Sequence, residues 1–331
     1  MSISAVDHNA TARFFGLDEA SSDWLAELAQ LSGPPVPLPD RGAVAEVFGR
    51  LGGDPSDLAE LEALRSEFDA SAVGWLFERC VRQLVNGIGI VQPGPPWPAL
   101  AADQDALNRY FYVYVFLAAV PQVREFHRQR GISDEISWAS LADLGQQMSV
   151  RRRIFGAGGL HTQTWLTIPF SGLLYQLGRL QFNLYDIIGE QQPYKGVRAP
   201  FGAGHPVLGV HIPERGRLDP QACDDSFDRA REFFPQHFPE REHRYATCNS
   251  WLLDPQLAEY LPADSNVVRF QRRFTQSGPG TDDDNTVFEF VFRRLNPPLD
   301  ELPQDTTLQR AVVAHLRTGR HWQPVSGWLE L

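Results

Sequence analysis

The 331 residues carry 41 Asp and Glu against 30 Lys and Arg, a formal net charge of -11. That balance excludes a broad electrostatic attraction to nucleic acid or to an anionic membrane surface, so any bound anion must meet a local basic cluster. With 43% hydrophobic residues the chain can bury sizeable cores, and its length suits two domains.

Three cysteines, Cys80, Cys223 and Cys248, form no CxxC pair, which points to a reducing compartment. The first thirty residues include Asp7, Asp18, Glu19 and Asp23 and lack the basic start and apolar run of a secretory leader. The longest apolar run, Tyr110 to Val120, stops at Pro121, well short of the roughly 20 residues that span a bilayer. The expectation is a soluble cytoplasmic protein with no nucleic-acid or membrane partner.

Up to about residue 155 the hydrophobic period is helical. One helix is predicted from Asp57 to Phe68. A second runs from Ala70 to Leu84, where Val73, Leu76, Phe77, Cys80, Val81 and Leu84 recur at steps of three and four and share one face. Asp103 to Val123 and Ser137 to Met148 read the same way, with Asp103 and Ser137 as N-caps. The segments GPPVPLP and PGPPWP between helices are stiff connectors. Arg151, Arg152 and Arg153 form the strongest positive run; they read as a solvated helix end, or as a contact for a 3'-phosphate or an acidic carrier protein. GAGGLH lacks the Lys-Ser/Thr of a phosphate loop and reads as a hinge, so a helical domain over 1–155 gives way to a second domain over 156–331.

Beyond residue 160 the period becomes two. Strands are predicted over His161 to Ile168, Arg179 to Ile187, Val207 to Ile212 and Tyr245 to Leu252, with a helix from Asp225 to Phe234 between the last two. In the second strand Leu180, Phe182 and Leu184 take the buried face and Gln181, Asn183 and Tyr185 the other. A short helix, Pro255 to Tyr260, is entered through Asp254-Pro255. NVVRFQRRF and NTVFEFVFRR then form a hairpin that sets Phe288, Phe290 and Phe292 together, with Asp282, Asp283 and Asp284 at its solvated tip. A helix over Thr307 to Leu316 and a final strand complete the chain. One strand-helix-strand crossover in an otherwise antiparallel sheet implies a locally parallel pair. The fold class is α+β: a helical N-terminal domain, then a mixed, mostly antiparallel sheet flanked by helices.

This order of elements resembles the GNAT acetyltransferase fold. GVHIPERG, the serine of DDSFDRAREFF, ATCNSWLLDPQLAEYLP and SNVVRFQRRF together resemble the GNAT-like C-terminal domain of two-domain bacterial N-acyltransferases, which carry a helical N-terminal domain. The likeness of layout spans most of the chain; its specific motifs lie between residues 205 and 275. The resemblance implies an acyltransferase that moves an acyl group from a thioester to a small-molecule amine, with no metal. The co-substrate is acyl-CoA, or acyl-phosphopantetheine on an acyl-carrier protein. It also implies that the two parallel strands splay apart to admit the pantetheine arm.

One departure concerns phosphate. The R/Q-x-x-G-x-G/A loop, whose backbone N–H groups face the CoA pyrophosphate in ordinary GNAT enzymes, is missing. Arg215, Gly216 and Arg217, with Ser226 near the helix start, stand in its place as candidate cofactor contacts. Asp224 and Asp225 are expected at the helix N-terminus, where a carboxylate competes with phosphate for the same N–H groups.

Aminolysis of a thioester needs a deprotonated amine. An alkylamine has a pKa of about 10.4, so an imidazole of about 6.5 is a suitable base. His211 ends a strand on the face opposite Val210 and Ile212; it reads as that base or as a hydrogen-bonded structural histidine. On the partner strand Cys248 and Ser250 share one face and Asn249 and Trp251 the other. Ser250 is a candidate donor to the departing thiolate and Asn249 a contact for the pantetheine amides. Cys248 is either a nucleophile beside His211 or inert packing, and direct attack is what the resemblance implies. Tyr260 is a looser candidate for the acid. His237, His243 and Cys248 match no structural-zinc spacing. A second reading is a catalytically degenerate GNAT fold that binds an acyl ligand or a protein partner without chemistry.

Overall fold

The computed structural model describes residues 8–91, 94–100, 105–190, 192–278 and 280–331, and the chain divides into two compact units between Tyr175 and Gln176. The first is built of α1 (His8–Phe15), α2 (Ser22–Gln30), α3 (Arg41–Arg50), α4 (Pro55–Ala63), α5 (Ser71–Asn86), α6 (Ala106–Gln129), α7 (Asp134–Leu141), α8 (Asp143–Phe155) and α9 (Gln163–Phe170). Every residue from Tyr110 to Val120 is buried, so α6 is apolar all round and serves as the spine of this unit. Its N-cap is Asp105, whose side chain accepts from Leu107 N–H; Asp103 lies outside the described residues. The predicted face of α5 is wholly buried, from Val73 to Leu84.

Four expectations for this unit are corrected. Ser137 does not cap a helix. Ser133 caps α7, and Ser137 lies within it, its hydroxyl 2.9 Å from His127 Nδ1. The strand expected over His161 to Ile168 is α9: a short apolar run fits either period, and burial of Gln163, Leu166 and Phe170 follows helical steps of three and four. GAGGLH is not a hinge but a tightly packed corner of the helical unit. Arg151 is buried and donates to the carbonyls of Ala157 (2.8 Å) and Gly158 (2.9 Å). Arg152 pairs with Asp57, which also accepts from the Tyr110 hydroxyl at 2.5 Å. A Cβ on Gly158 would fall 1.7 Å from Asp57 Oδ1, so only glycine fits. The arginines at 151 and 152 are therefore structural rather than a solvated helix end.

The second unit is a six-stranded sheet in the order β1-β2-β3-β4-β6-β5. Its strands are β1 (Leu174–Leu177, spanning the division in sequence), β2 (Leu180–Asp186), β3 (Pro206–His211), β4 (Tyr245–Ser250), β5 (Thr275–Gly278) and β6 (Val325–Glu330). The β3–β4 pair is parallel, and α10 (Pro220–His237) makes the crossover between them. Phe182 meets Phe227 and Phe234 of α10 edge to face, so α10 covers the even-numbered face of β2.

Here too the structure departs from expectation. The α10 helix begins at Pro220, not Asp225, because Asp219-Pro220 supplies both the N-cap and the first helical residue. Asp224 and Asp225 fall further along it, where Asp224 pairs with Arg273 and Asp225 accepts from Gln221. There is no aromatic hairpin. NVVRFQRRF forms α11 (Asn266–Gln271), capped by the Ser265 hydroxyl, ahead of β5. NTVFEFVFRR forms α12 (Asp284–Val287) and a π-helical turn over Phe288–Phe292, which buries Phe288 and Phe292 and leaves Phe290 45% exposed. Residues at i and i+4 meet on a helical turn as readily as i and i+2 meet on a strand. The three aspartates are not a solvated tip. Asp283 caps α12, Asp284 accepts from Trp322 N–H and pairs with His321, and Asp282 accepts from Gln323. The final helix, α13, spans Thr307–Leu316 with a Thr306/Gln309 capping box. Among the described residues no helix is long and apolar enough to cross a membrane.

Candidate active site

The parallel pair holds together only at its start. Leu208 pairs with Ala246 and Gly209 with Thr247, after which β3 runs to His211 beside β2 alone and β4 to Ser250 beside β6 alone. Strands that diverge in this way leave backbone edges outside the ladder, and such edges can hydrogen-bond an added extended segment.

Strand register sorts the side chains. Gln181 lies opposite His211 and Asn183 opposite Gly209, and Gly209 lies beside Thr247, so these share one face. Leu208, Val210, Ala246, Cys248 and Ser250 share the other, the face that α10 covers. The structure thus brings His211 together with Asn183 and separates it from Cys248 and Ser250.

Toward one end this face is apolar, with Val207 and Tyr245 buried, but around His211 its buried side chains are polar: Gln181 and Asn183 are among the few uncharged polar groups with less than a tenth of their surface exposed. The His211 ring places Nε2 2.8 Å from Asn183 Oδ1. Burial lowers the His211 pKa to about 4, so at neutral pH the imidazole is uncharged and one ring nitrogen carries a lone pair, though the ring is a weaker base than a free imidazole. Gly209 makes the contact possible, since a Cβ there would sit 2.1 Å from Asn183 Oδ1. In the sequence Asn183 is legible as a strand residue and not as a partner of His211; the odd-numbered polar positions of β2 are the signal for it.

Cys248 is buried, and burial pushes its thiol up to about 12, a poor start for a nucleophile. The Ser250 hydroxyl accepts from Leu252 N–H and caps the 3-10 turn Trp251–Leu253. Asn249, on the His211 face, is exposed and donates to Ser326 Oγ at 2.7 Å. Tyr260 is 3.3 Å from buried His315. A hollow lined by Asp224, Phe227, Asp228, Arg231, Arg273 and Leu329 lies on the α10 face, away from His211 and walled by ion pairs.

The loop between β3 and α10 is held from within. Arg179 donates from Nη1 to Pro213 O (3.0 Å), from Nη2 to Gly216 O (3.4 Å) and from Nε to Arg217 O (2.9 Å). Gly216 takes φ +59° there, a left-handed conformation that suits glycine. The Asp219 carboxylate occupies the helix N-terminus, accepting from Ala222 N–H. Ser226 is fully buried; its hydroxyl accepts from the backbone N–H of Arg179 (2.8 Å) and Leu180 (3.3 Å) and donates to Ala222 O. Ser226 is therefore a tie between α10 and the β1–β2 turn, not a group facing the loop. On this loop the Arg215 side chain is half-buried and Arg217 is exposed. Among those residues no cluster of three or more His, Cys, Asp or Glu could hold a metal.

Comparison with known proteins bears on this geometry. Residues 43–172 match the N-acyltransferase N-terminal domain and residues 174–329 the GNAT-like C-terminal domain. Crystal structures of acyltransferases are similar along nearly the whole chain. One holds decanoyl-CoA and teicoplanin, one holds CoA and 10C-teicoplanin, and one is a mutant with octanoyl-CoA. Each is 42% identical, with a TM-score of 0.87 over 98% of this chain and 100% of that one. None of the curated proteins matches.

Proposed function

Since the chain belongs to the two-domain GNAT-like N-acyltransferases and is an acyltransferase, we propose that it moves an acyl group from acyl-CoA to the amine of a small-molecule acceptor by direct attack, with His211 as the base. The observation that carries this reading is the divergence of β3 and β4 beyond Gly209 and Thr247 with a neutral histidine at the end of β3. The pantetheine arm would lie along the unpaired strand edges, and Asn249, exposed on the His211 face, would meet its amides. Arg215 and Arg217 would meet the phosphates, because Asp219 already occupies the helix N-terminus.

In the reaction, the amine nitrogen forms a bond to the thioester carbonyl carbon as His211 removes its proton. The tetrahedral intermediate then collapses, the carbon–sulfur bond breaks, and the proton leaves with the thiolate as free CoA thiol. An acyl-enzyme on Cys248 is disfavoured by its place on the opposite face and its raised pKa. Acyl-CoA is favoured over a carrier protein as donor because the similar acyltransferases hold octanoyl-CoA or decanoyl-CoA. The teicoplanin complex favours an amine carried on a large polar small molecule.

The test is a thermal-shift titration with CoA, octanoyl-CoA and decanoyl-CoA, followed by CoA thiol release with teicoplanin-type amines. Ligand at about 100 times its Kd stabilises by roughly 2.7 kcal/mol, a shift of several degrees. No shift with any of the three would sink acyl-CoA as the donor.

A further inference from the structure

The Asn183 amide has one orientation compatible with its surroundings. Its Nδ2 donates to Leu184 O at 3.1 Å, which leaves Oδ1 turned toward His211 Nε2 at 2.8 Å. An amide oxygen only accepts, so Nε2 must carry the hydrogen. In a neutral imidazole the lone pair then resides on Nδ1.

Asn183 is 9% exposed, and burying an amide is costly unless its polar atoms are satisfied. Both are satisfied, one by backbone and one by His211. The contact needs a residue without a side chain at position 209, and Gly209 meets that need although β3 would otherwise favour a branched residue there. Three residues on two strands thus converge on the orientation of one ring.

We infer that Asn183 is a positioning residue that holds His211 in its Nε2–H tautomer, so that Nδ1 receives the proton of the acceptor amine, with Gly209 providing the space that brings the two side chains together. The catalytic half of this inference rests on His211 being the base. The side chains that share its face on β2 and β4, Gln181, Asn183 and Thr247, are uncharged. In the loop that follows, Glu214 is paired with Arg293.

The experiment combines ring 15N–1H correlation spectra of His211 with steady-state kinetics on decanoyl-CoA. The wild-type ring should be protonated at Nε2. Asn183→Ala should give a mixture of tautomers and lower kcat 10- to 100-fold while KM for decanoyl-CoA stays within twofold. Asn183→Asp keeps the side-chain shape and places a carboxylate opposite the ring, so the acid limb of kcat should move up by about one pH unit or more. An Nδ1–H ring in the wild type would overturn the inference. So would Asn183→Ala with wild-type ring signals and wild-type kcat. If His211→Ala keeps full turnover, the base assignment falls instead, and the ring spectra still decide whether Asn183 sets the tautomer.

Discussion

The two faces of the β2–β3–β4 sheet are made by alternate residues of the same strands, yet they obey different rules. On the α10 face Phe182, Val210 and Cys248 are buried with Phe227 and Phe234, and the polar Ser250 is used up in a cap. On the other face Gln181, Asn183 and His211 stand in a row, and the glycine between them serves a polar contact. A core needs only volume and apolarity, so the first face accounts for itself by burial. Buried amides and an uncharged histidine cost solvation and earn no packing that leucines would not give, so the second face asks for a function.

The largest expected effect follows from that contrast. His211→Ala should lower turnover by roughly 10²- to 10⁴-fold, the usual worth of a general base, without weakening decanoyl-CoA binding; thermal shift and thiol release on one preparation read both. Phe182→Ala should do the reverse, costing about 3–5 kcal/mol of stability in urea as α10 loses its aromatic contacts while the pH profile of kcat keeps its shape.

Titration offers a third comparison. The His211 pKa falls from 6.5 to about 4 on burial, so between those values the unfolded chain binds the proton and the folded one does not. Stability is therefore unaffected above about pH 7 and declines as pH falls from 6.5 toward 4, by about 3 kcal/mol from this ring. His127, in the helical unit, is lowered to about 4 for the same leading reason. Urea unfolding at pH 7 and pH 4.5 should show a shallower pH dependence for His211→Gln and for His127→Gln. Equal slopes in the wild type and both variants would show that the rings do not titrate this way.

Smaller effects refine the picture. Gly209→Ala forces Asn183 off its position and should cost about 1–3 kcal/mol of stability, with the same fall in kcat as Asn183→Ala. Cys248→Ala should change kcat by less than about threefold, since a thiol near pKa 12 on the wrong face takes no part. Loss of turnover in that variant with intact folding would revive the acyl-enzyme route.

Local pattern carried much of this architecture. The buried stripe of α5, the capped α13, strands β2, β3 and β4, and the crossover that makes β3 and β4 parallel are each written in spacing that a single segment supplies. Failures cluster where one pattern satisfies two periods. TWLTIPF became α9 and FEFVF a π-helical turn, because a short apolar run is compatible with either element until its neighbours choose. The α10 helix starts earlier than its pattern suggests because Asp219, Asp224 and Asp225 can each cap it, and the one followed by proline prevails.

For the site, sequence determined that a histidine ends one strand of a parallel pair and that Cys248 and Ser250 alternate with Asn249. Tertiary structure decided the rest. It alone set Asn183, 28 residues away in sequence, against His211. It also engaged Arg179 with the loop carbonyls and Ser226 with the β1–β2 turn. The physical reason is that periodicity records which way each side chain points along its own strand, whereas a hydrogen bond across strands depends on register, and register is fixed only when both strands are buried together.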